Sequence, residues 1–340
     1  MCLVAIVVWA RRLVTRLALG VIAVILILLS VGAGINAHFD YFPTLADALG
    51  RNGAEGSLHT LRTAGPRSTS LVVTVTIPGR RSHFSARQAL VYAPPAYFNR
   101  PRPQLPVIIM LHGTPGTPDN WVVAGDAQST ADAFARANGG VAPVLVMPDV
   151  NGSYTADTEC VNSQAGNAES YLTRDVPAFI DAQLYVAPAG KKWAIAGFSE
   201  GGMCSVLLAL RHDKLFTTFG DYGGLEGPRA TENNNLGDTV RHFFGGSQPD
   251  FDAHRPRVLL GRHRYPDMGG WFEVGTADAG PYQAAQLLVP LAQRAGIETC
   301  VTYVPGGEHT FQVWSAAFRD SLPWIAGRLG LTPRVGCSGP

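Results

Sequence analysis

The chain has 340 residues with 27 basic and 26 acidic side chains, a formal charge of +1, so it lacks the concentrated basic surface that nucleic-acid binding requires. Hydrophobic residues make up 46% and charged residues 16%, too apolar a composition for a disordered chain. With 38 glycines and 24 prolines, turns and loops are frequent.

The sharpest shift in composition falls in residues 1–37. The stretch 1–10 is mostly apolar, Arg11, Arg12 and Arg16 form a basic cluster, and 17–34 carries no charge. That run approaches the ~20 residues needed to cross a bilayer as a helix. The bases precede it, so the positive-inside rule places the remainder outside the cytoplasm. Two readings share this outcome: an uncleaved membrane anchor, or a signal peptide cleaved after small residues such as Val31-Gly32-Ala33. The long apolar core favours the anchor; a buried soluble helix is the third alternative. The expected location is the cell membrane with the folded part outside the cytoplasm, or secretion if the segment is removed. Residues 38–68 read as a mixed polar linker, 69–330 as one folded domain and 331–340 as a C-terminal tail.

Within the domain, strands are predicted at 71–77 and 86–92, joined through Pro78-Gly79, and then at 107–111. A helix near 131–137 leads to a strand at 144–147, and a helix around 171–184 to a strand at 193–196. A helix over 202–210 follows, then strands at 215–219, 271–274 and 299–304 with helices near 281–295 and 311–329. Strands that are apolar throughout and separated by helices indicate a mostly parallel sheet covered on both faces. Sites in such sheets form beyond the carboxyl ends of the strands. Residues 226–270 interrupt the alternation, either as a wall of the substrate pocket or as a surface insertion without function.

Cys2 lies in the apolar stretch and reads as a free thiol. Cys160, Cys204, Cys300 and Cys337 form an even set, consistent with export. Four cysteines allow three pairings, among which spacing does not choose. The pairing preferred here joins Cys160 to Cys204 and Cys300 to Cys337, the second pinning the tail to the sheet; four unpaired buried thiols are the alternative. None of the spacings resembles a zinc site, and Asp250, Asp252 and His254 read as a solvated turn. No metal or cofactor is expected.

The chemistry centres on Gly197-Phe198-Ser199-Glu200-Gly201, a G-x-S-x-G pattern between an apolar strand and an Ala/Leu-rich helix, the setting of a nucleophile elbow. Side chains at 197 and 201 would collide with neighbouring backbone in so tight a turn. A serine hydroxyl needs a base to take its proton and an acid to orient that base. In this architecture the order is serine, acid, histidine. Of the later histidines His242, His254, His263 and His309, the last stands directly after the final strand, where a loop would swing over the serine. Asp278 follows the strand 271–274 through a glycine turn and is the favoured acid; Glu273, inside that strand, is the weaker candidate. The backbone N–H of Glu200 and that of Thr114, after the strand 107–111, are the expected oxyanion donors, since Pro115 has no N–H. His112 reads as structural.

On LHGTPG (111–116), YLTRDVPAFI (171–180), AIAGFSEGG (194–202) and GEHTF (307–311), the chain resembles the Putative esterase family of α/β-hydrolases, over roughly residues 70–330. That group contains esterase D-like enzymes, enterochelin esterases and antigen 85 mycolyltransferases. The resemblance implies an α/β-hydrolase fold, Ser199 as nucleophile, His309 as base, an acid at Asp278, and acyl-ester chemistry without a cofactor. It departs at Glu200, where many relatives carry Met. The expected function is an exported serine esterase acting on an ester, with esters of lipids or glycolipids among the candidate substrates. The rival readings are acyl transfer to a sugar or lipid hydroxyl and a non-catalytic binding protein on an esterase scaffold.

Overall fold

A computed structural model describes residues 2–39, 41, 54, 56–230 and 235–337. Its strands are β1 (Gly56–Ser57), β2 (Leu71–Val75), β3 (Ala89–Ala93), β4 (Val107–Leu111), β5 (Val144–Met147), β6 (Asn162–Ser163), β7 (Gly166–Asn167), β8 (Gly190–Phe198), β9 (Phe216–Tyr222), β10 (Gly269–Gly275) and β11 (Glu298–Val304). All but β6 and β7 join one sheet in the order β1-β2-β3-β5-β4-β8-β9-β10-β11. The pairs β2–β3 and β3–β5 are antiparallel and the others parallel. This is the mostly parallel α/β-hydrolase sheet, with β8 near its centre.

Strand periodicity explains why uniform apolar runs were required. In β4, Val107, Ile109 and Leu111 enter one core while Ile108 and Met110 enter the other, all fully buried. Helices Val176–Gln183, Glu200–Arg211 and Ala279–Arg294 cover the first face. Helices Ala127–Ala137 and Phe311–Arg328 cover the second.

Three regions differ in detail from the sequence reading. Gly56–Ser57 and the helix Leu58–Thr63, inside the expected linker, belong to the folded body: β1 pairs with β2 and Leu61 is fully buried. Residues 40, 42–53 and 55 of that stretch lie outside the described residues. The segment 226–270 folds into helices Leu236–Phe244, Gln248–Asp252 and Pro256–Arg262, with 231–234 outside the described residues. The helix expected at 171–184 begins earlier, at Ala168–Ser170, and passes through a π-turn at Tyr171–Asp175 before Val176–Gln183. Pro177 has no N–H to give the carbonyl of Thr173, a local reason for irregular hydrogen bonding here.

The N-terminal helix runs Cys2–Phe39, and its stretch Arg12–Ala37 is long and apolar enough to cross a membrane, with mean hydropathy 2.7. Beyond its end, the Tyr41 ring stands 5.1 Å from that of Phe311, on the domain.

Disulfides join Cys160 to Cys204 and Cys300 to Cys337, the preferred pairing. The first ties the loop after β5 to the helix after β8, and the second ties the tail to β11. Closing a segment of 44 residues removes about 4 kcal/mol of unfolded-chain entropy, in the simplest account. Replacing both Cys160 and Cys204 by Ala should therefore lower the unfolding free energy by about 2–4 kcal/mol, read from urea titration. An unchanged midpoint would show that the bridge adds nothing to stability.

Candidate active site

β8 ends at Phe198 and a helix begins at Glu200, so Ser199 alone turns the chain, at φ +56° and ψ −124°. That left-handed backbone is strained for a residue with a side chain. It persists because its neighbours leave no other path. A carbon added at Gly197 would lie 2.1 Å from the carbonyl oxygen of Gly201, and one at Gly201 would lie 2.3 Å from that of Leu111. The Ser199 N–H donates to Tyr222 O at 3.0 Å, tying the turn to β9.

The structure brings Ser199, His309 and Asp278 together. Ser199 Oγ donates to His309 Nε2 at 2.8 Å, and His309 Nδ1 donates to Asp278 Oδ2 at 2.5 Å. Asp278 caps the helix Ala279–Arg294 just beyond β10, and His309 follows β11, so both arrive from carboxyl ends of strands. Trp314 packs its ring edgewise against His309 at 4.7 Å and stacks on Phe198 at 4.8 Å, which limits the imidazole's freedom.

The other candidates lie elsewhere. Glu273 is buried within β10, accepts from Trp271 Nε1 at 2.9 Å, and is pushed up to about 7 by burial. His254 is held by Asp250 O and Glu169, and His212 and Arg211 also reach Glu169; this cluster joins helices far from the serine. His112 Nδ1 donates to Gly113 O at 2.8 Å while Nε2 accepts from Val150 N at 3.0 Å, so it shapes the loop after β4. Among the described residues, Cys160, Glu200 and Cys204 have ligating atoms close enough for a metal, but both sulfurs are in the disulfide.

Gly113 lies against the nucleophile, since a carbon added there would stand 2.9 Å from Ser199 Cβ. Thr114 follows and lines the cleft beside Ser199. The first N–H groups of the helix starting at Glu200, beside Ser199, have no intrahelical acceptor. Arg87 steadies this loop, donating to Gly116 O at 3.0 Å and pairing with Asp149 at 2.6 Å. Burial would raise Asp149, but hydrogen bonds from the Arg87 guanidinium and main-chain N–H prevail and lower it well below the usual carboxylate range.

The cleft at Ser199 measures about 450 Å³ and is mostly apolar. Its walls include Tyr154, Phe198 and Trp314, together with Gly32, Ile35, Asn36, Phe39 and Tyr41 from the end of the N-terminal helix and just after it. Among the described residues of 226–270, none lines it; that segment borders a separate cleft with Gly280, Gln283 and Leu287. Sequence reasoning thus missed the helix end and Tyr154 as walls. It had no periodic or motif signal for contacts so distant along the chain.

A family model described as Putative esterase matches residues 84–326. The chain belongs to this family. It is accordingly an enzyme of esterase or related acyltransferase type. It is similar to an uncharacterized protein of Corynebacterium glutamicum, 34% identical over 334 residues, covering 93% of this chain and 77% of that protein. To the diacylglycerol acyltransferase/mycolyltransferase Ag85A of Mycobacterium leprae it is 23% identical over 222 residues, 56% of this chain and 66% of that protein. Its fold is similar to an S-formylglutathione hydrolase from Agrobacterium tumefaciens, with a TM-score of 0.64 at 18% identity over 77% of this chain and 95% of that one.

A buried acid also stands beside the glycine turn, where Asp221 pairs with Gly197 across β8 and β9. Asp221, at the end of β9, accepts from Gly224 N at 2.8 Å, and burial pushes its carboxyl up to about 7. An unfolded aspartate titrates near ~3.9, so the folded state holds the extra proton between those values and loses stability as pH rises through that window. Asp221→Asn keeps an acceptor for Gly224 and removes the titration. Denaturation midpoints should show the variant gaining on the order of 2 kcal/mol more at pH 8 than at pH 5. Equal changes at both pH values would contradict the shift.

Proposed function

We propose that this protein is a membrane-anchored serine esterase that cleaves carboxylic esters outside the cytoplasm. The observation that carries the reading is the unbroken chain from Ser199 Oγ through His309 to Asp278, at 2.8 and 2.5 Å. His309 Nε2 takes the proton as Ser199 Oγ attacks the ester carbonyl, and Asp278 holds the imidazole's tautomer and stabilises its charge. The tetrahedral oxyanion is met by the main-chain N–H groups of Glu200 and Thr114. His309 then returns the proton to the leaving alcohol, an acyl-enzyme remains, and water attacks it with His309 again as base.

Export is supported by the basic cluster ahead of the apolar helix and by the disulfides, which persist in oxidising compartments. In this reading residues 1–37 anchor the chain and 69–330 carry the catalytic body. The helix end beside Ser199 then sets the cleft close to the outer membrane surface. A second reading, acyl transfer to a sugar or lipid hydroxyl, keeps the same acyl-enzyme. It is favoured by the likeness to Ag85A and by the apolar, helix-walled cleft.

Full-length protein in detergent is expected to turn over p-nitrophenyl esters and to be labelled by a fluorophosphonate at Ser199. Ser199→Ala should lose both, and Asp278→Asn should lose about 10⁴-fold in kcat. Folded protein that is neither labelled nor active would point to a binding protein instead. Release of free acid when a sugar acceptor is added supports hydrolysis, whereas acylated sugar supports transfer. Intact mass should retain residues 1–37; a shortened N-terminus would refute the anchor.

A further inference from the structure

We propose that the Glu200 side chain is a positioning residue that holds Thr114 as the second oxyanion donor. The proposal rests on the reading of Ser199 as nucleophile. A residue after the nucleophile needs only its main-chain N–H for the elbow, so a buried carboxyl there calls for a separate account. Glu200 is buried, and Thr114 Oγ1 donates to its Oε2. Asn151 Nδ2 donates to the same oxygen at 2.7 Å and lies 2.5 Å from Thr114 Oγ1, so the three side chains form a closed ring.

Each member is fixed from behind. Asn151 Oδ1 accepts from Thr158 N at 2.9 Å, within the loop that follows β5. Cys204, one turn beyond Glu200 on the same helix face, is bridged to Cys160 at the far end of that loop. The helix therefore grips the loop twice, through a covalent bond and through Glu200. Thr114 joins this grip through its hydroxyl and lines the cleft with Ser199, and a carbon added at the preceding Gly113 would stand 2.9 Å from Ser199 Cβ. A hydroxyl held at that point also sets the direction of the Thr114 N–H.

A negative charge here would oppose the oxyanion. Burial, and next the charge of Asp157, hold the Glu200 carboxyl well above the usual carboxylate range. A carboxyl held towards its neutral form accepts from Thr114 and Asn151 with less charge facing the reacting carbonyl. Glutamine has the same shape and an equivalent acceptor oxygen, whereas methionine has no acceptor oxygen.

The test uses full-length protein, with Ser199→Ala as the control for the site itself. Loss of turnover in Ser199→Ala upholds the nucleophile, and its retention would overturn that reading rather than this one. Glu200→Met should lower kcat by about 10–100-fold with KM for a p-nitrophenyl ester changed less than about threefold, the range expected when a catalytic group is misplaced by about 1 Å. Glu200→Gln should keep kcat within about threefold of the parent. Thr114→Val should fall like Glu200→Met, Thr114→Ser should recover, and the double variant should be no worse than either single one. Thermal melting identifies a variant that fails to fold; if Glu200→Met fails, the Thr114→Val and Thr114→Ser pair decides. Full kcat in folded Glu200→Met, multiplicative losses in the double variant, or equal loss in Thr114→Ser and Thr114→Val would overturn the proposal.

Discussion

The chain cannot carry a side-chain carbon at positions 197 and 201, and this steric limit governs the site. Backbone atoms of the strand, the turn and the next helix approach so closely that any Cβ there would overlap a carbonyl by more than an ångström. Under that compression Ser199 is forced into a left-handed conformation that projects its hydroxyl above the sheet. The central position of β8 matters for the same reason. Strands on both sides deliver loops to one rim, so a histidine 110 residues away meets the serine at hydrogen-bond distance.

Around that point and farther from the serine, the protein spends its buried polar groups on rigidity. Asp149 gathers Arg87 and His112, Glu169 gathers Arg211, His212 and His254, and Glu200 gathers Thr114 and Asn151. Each network links segments far apart in sequence; partners offset the desolvation of Asp149 and Glu169, whereas burial prevails at Glu200. Oxyanion stabilisation depends on donors already aligned before charge develops. In the proposed mechanism the loop after β4 supplies that alignment for Thr114 and the helix start supplies it for Glu200.

Much of the fold was legible because central strands such as β4 and β5 are uniformly apolar and fully buried. The strand at 107–111 was read to the residue, while β8 was underestimated at both ends because Gly190, Lys191 and Lys192 lack apolar character and Gly197 resembles a turn. The elbow could be read because steric demand writes itself as glycines at fixed spacing. Ser199, Asp278 and His309 were selected by order along the chain, and the structure sets them in contact. The two-residue strand β1 escaped notice because Gly56 and Ser57 carry no strand signal; its partner β2 recruits it. The helix end beside the cleft and the ring of Glu200, Thr114 and Asn151 were also invisible. They are contacts between segments with no shared periodicity, and a glutamate after a serine looks like any exposed helix start.

The crystal structure of the fluorophosphonate adduct tests the central claim most directly, because the phosphoryl oxygen mimics the oxyanion. The account requires phosphorus bonded to Ser199 Oγ, with that oxygen within hydrogen-bond distance of the main-chain nitrogens of Glu200 and Thr114 and His309 Nε2 beside the leaving position. An adduct on another residue, or a phosphoryl oxygen turned to solvent away from both nitrogens, would contradict it.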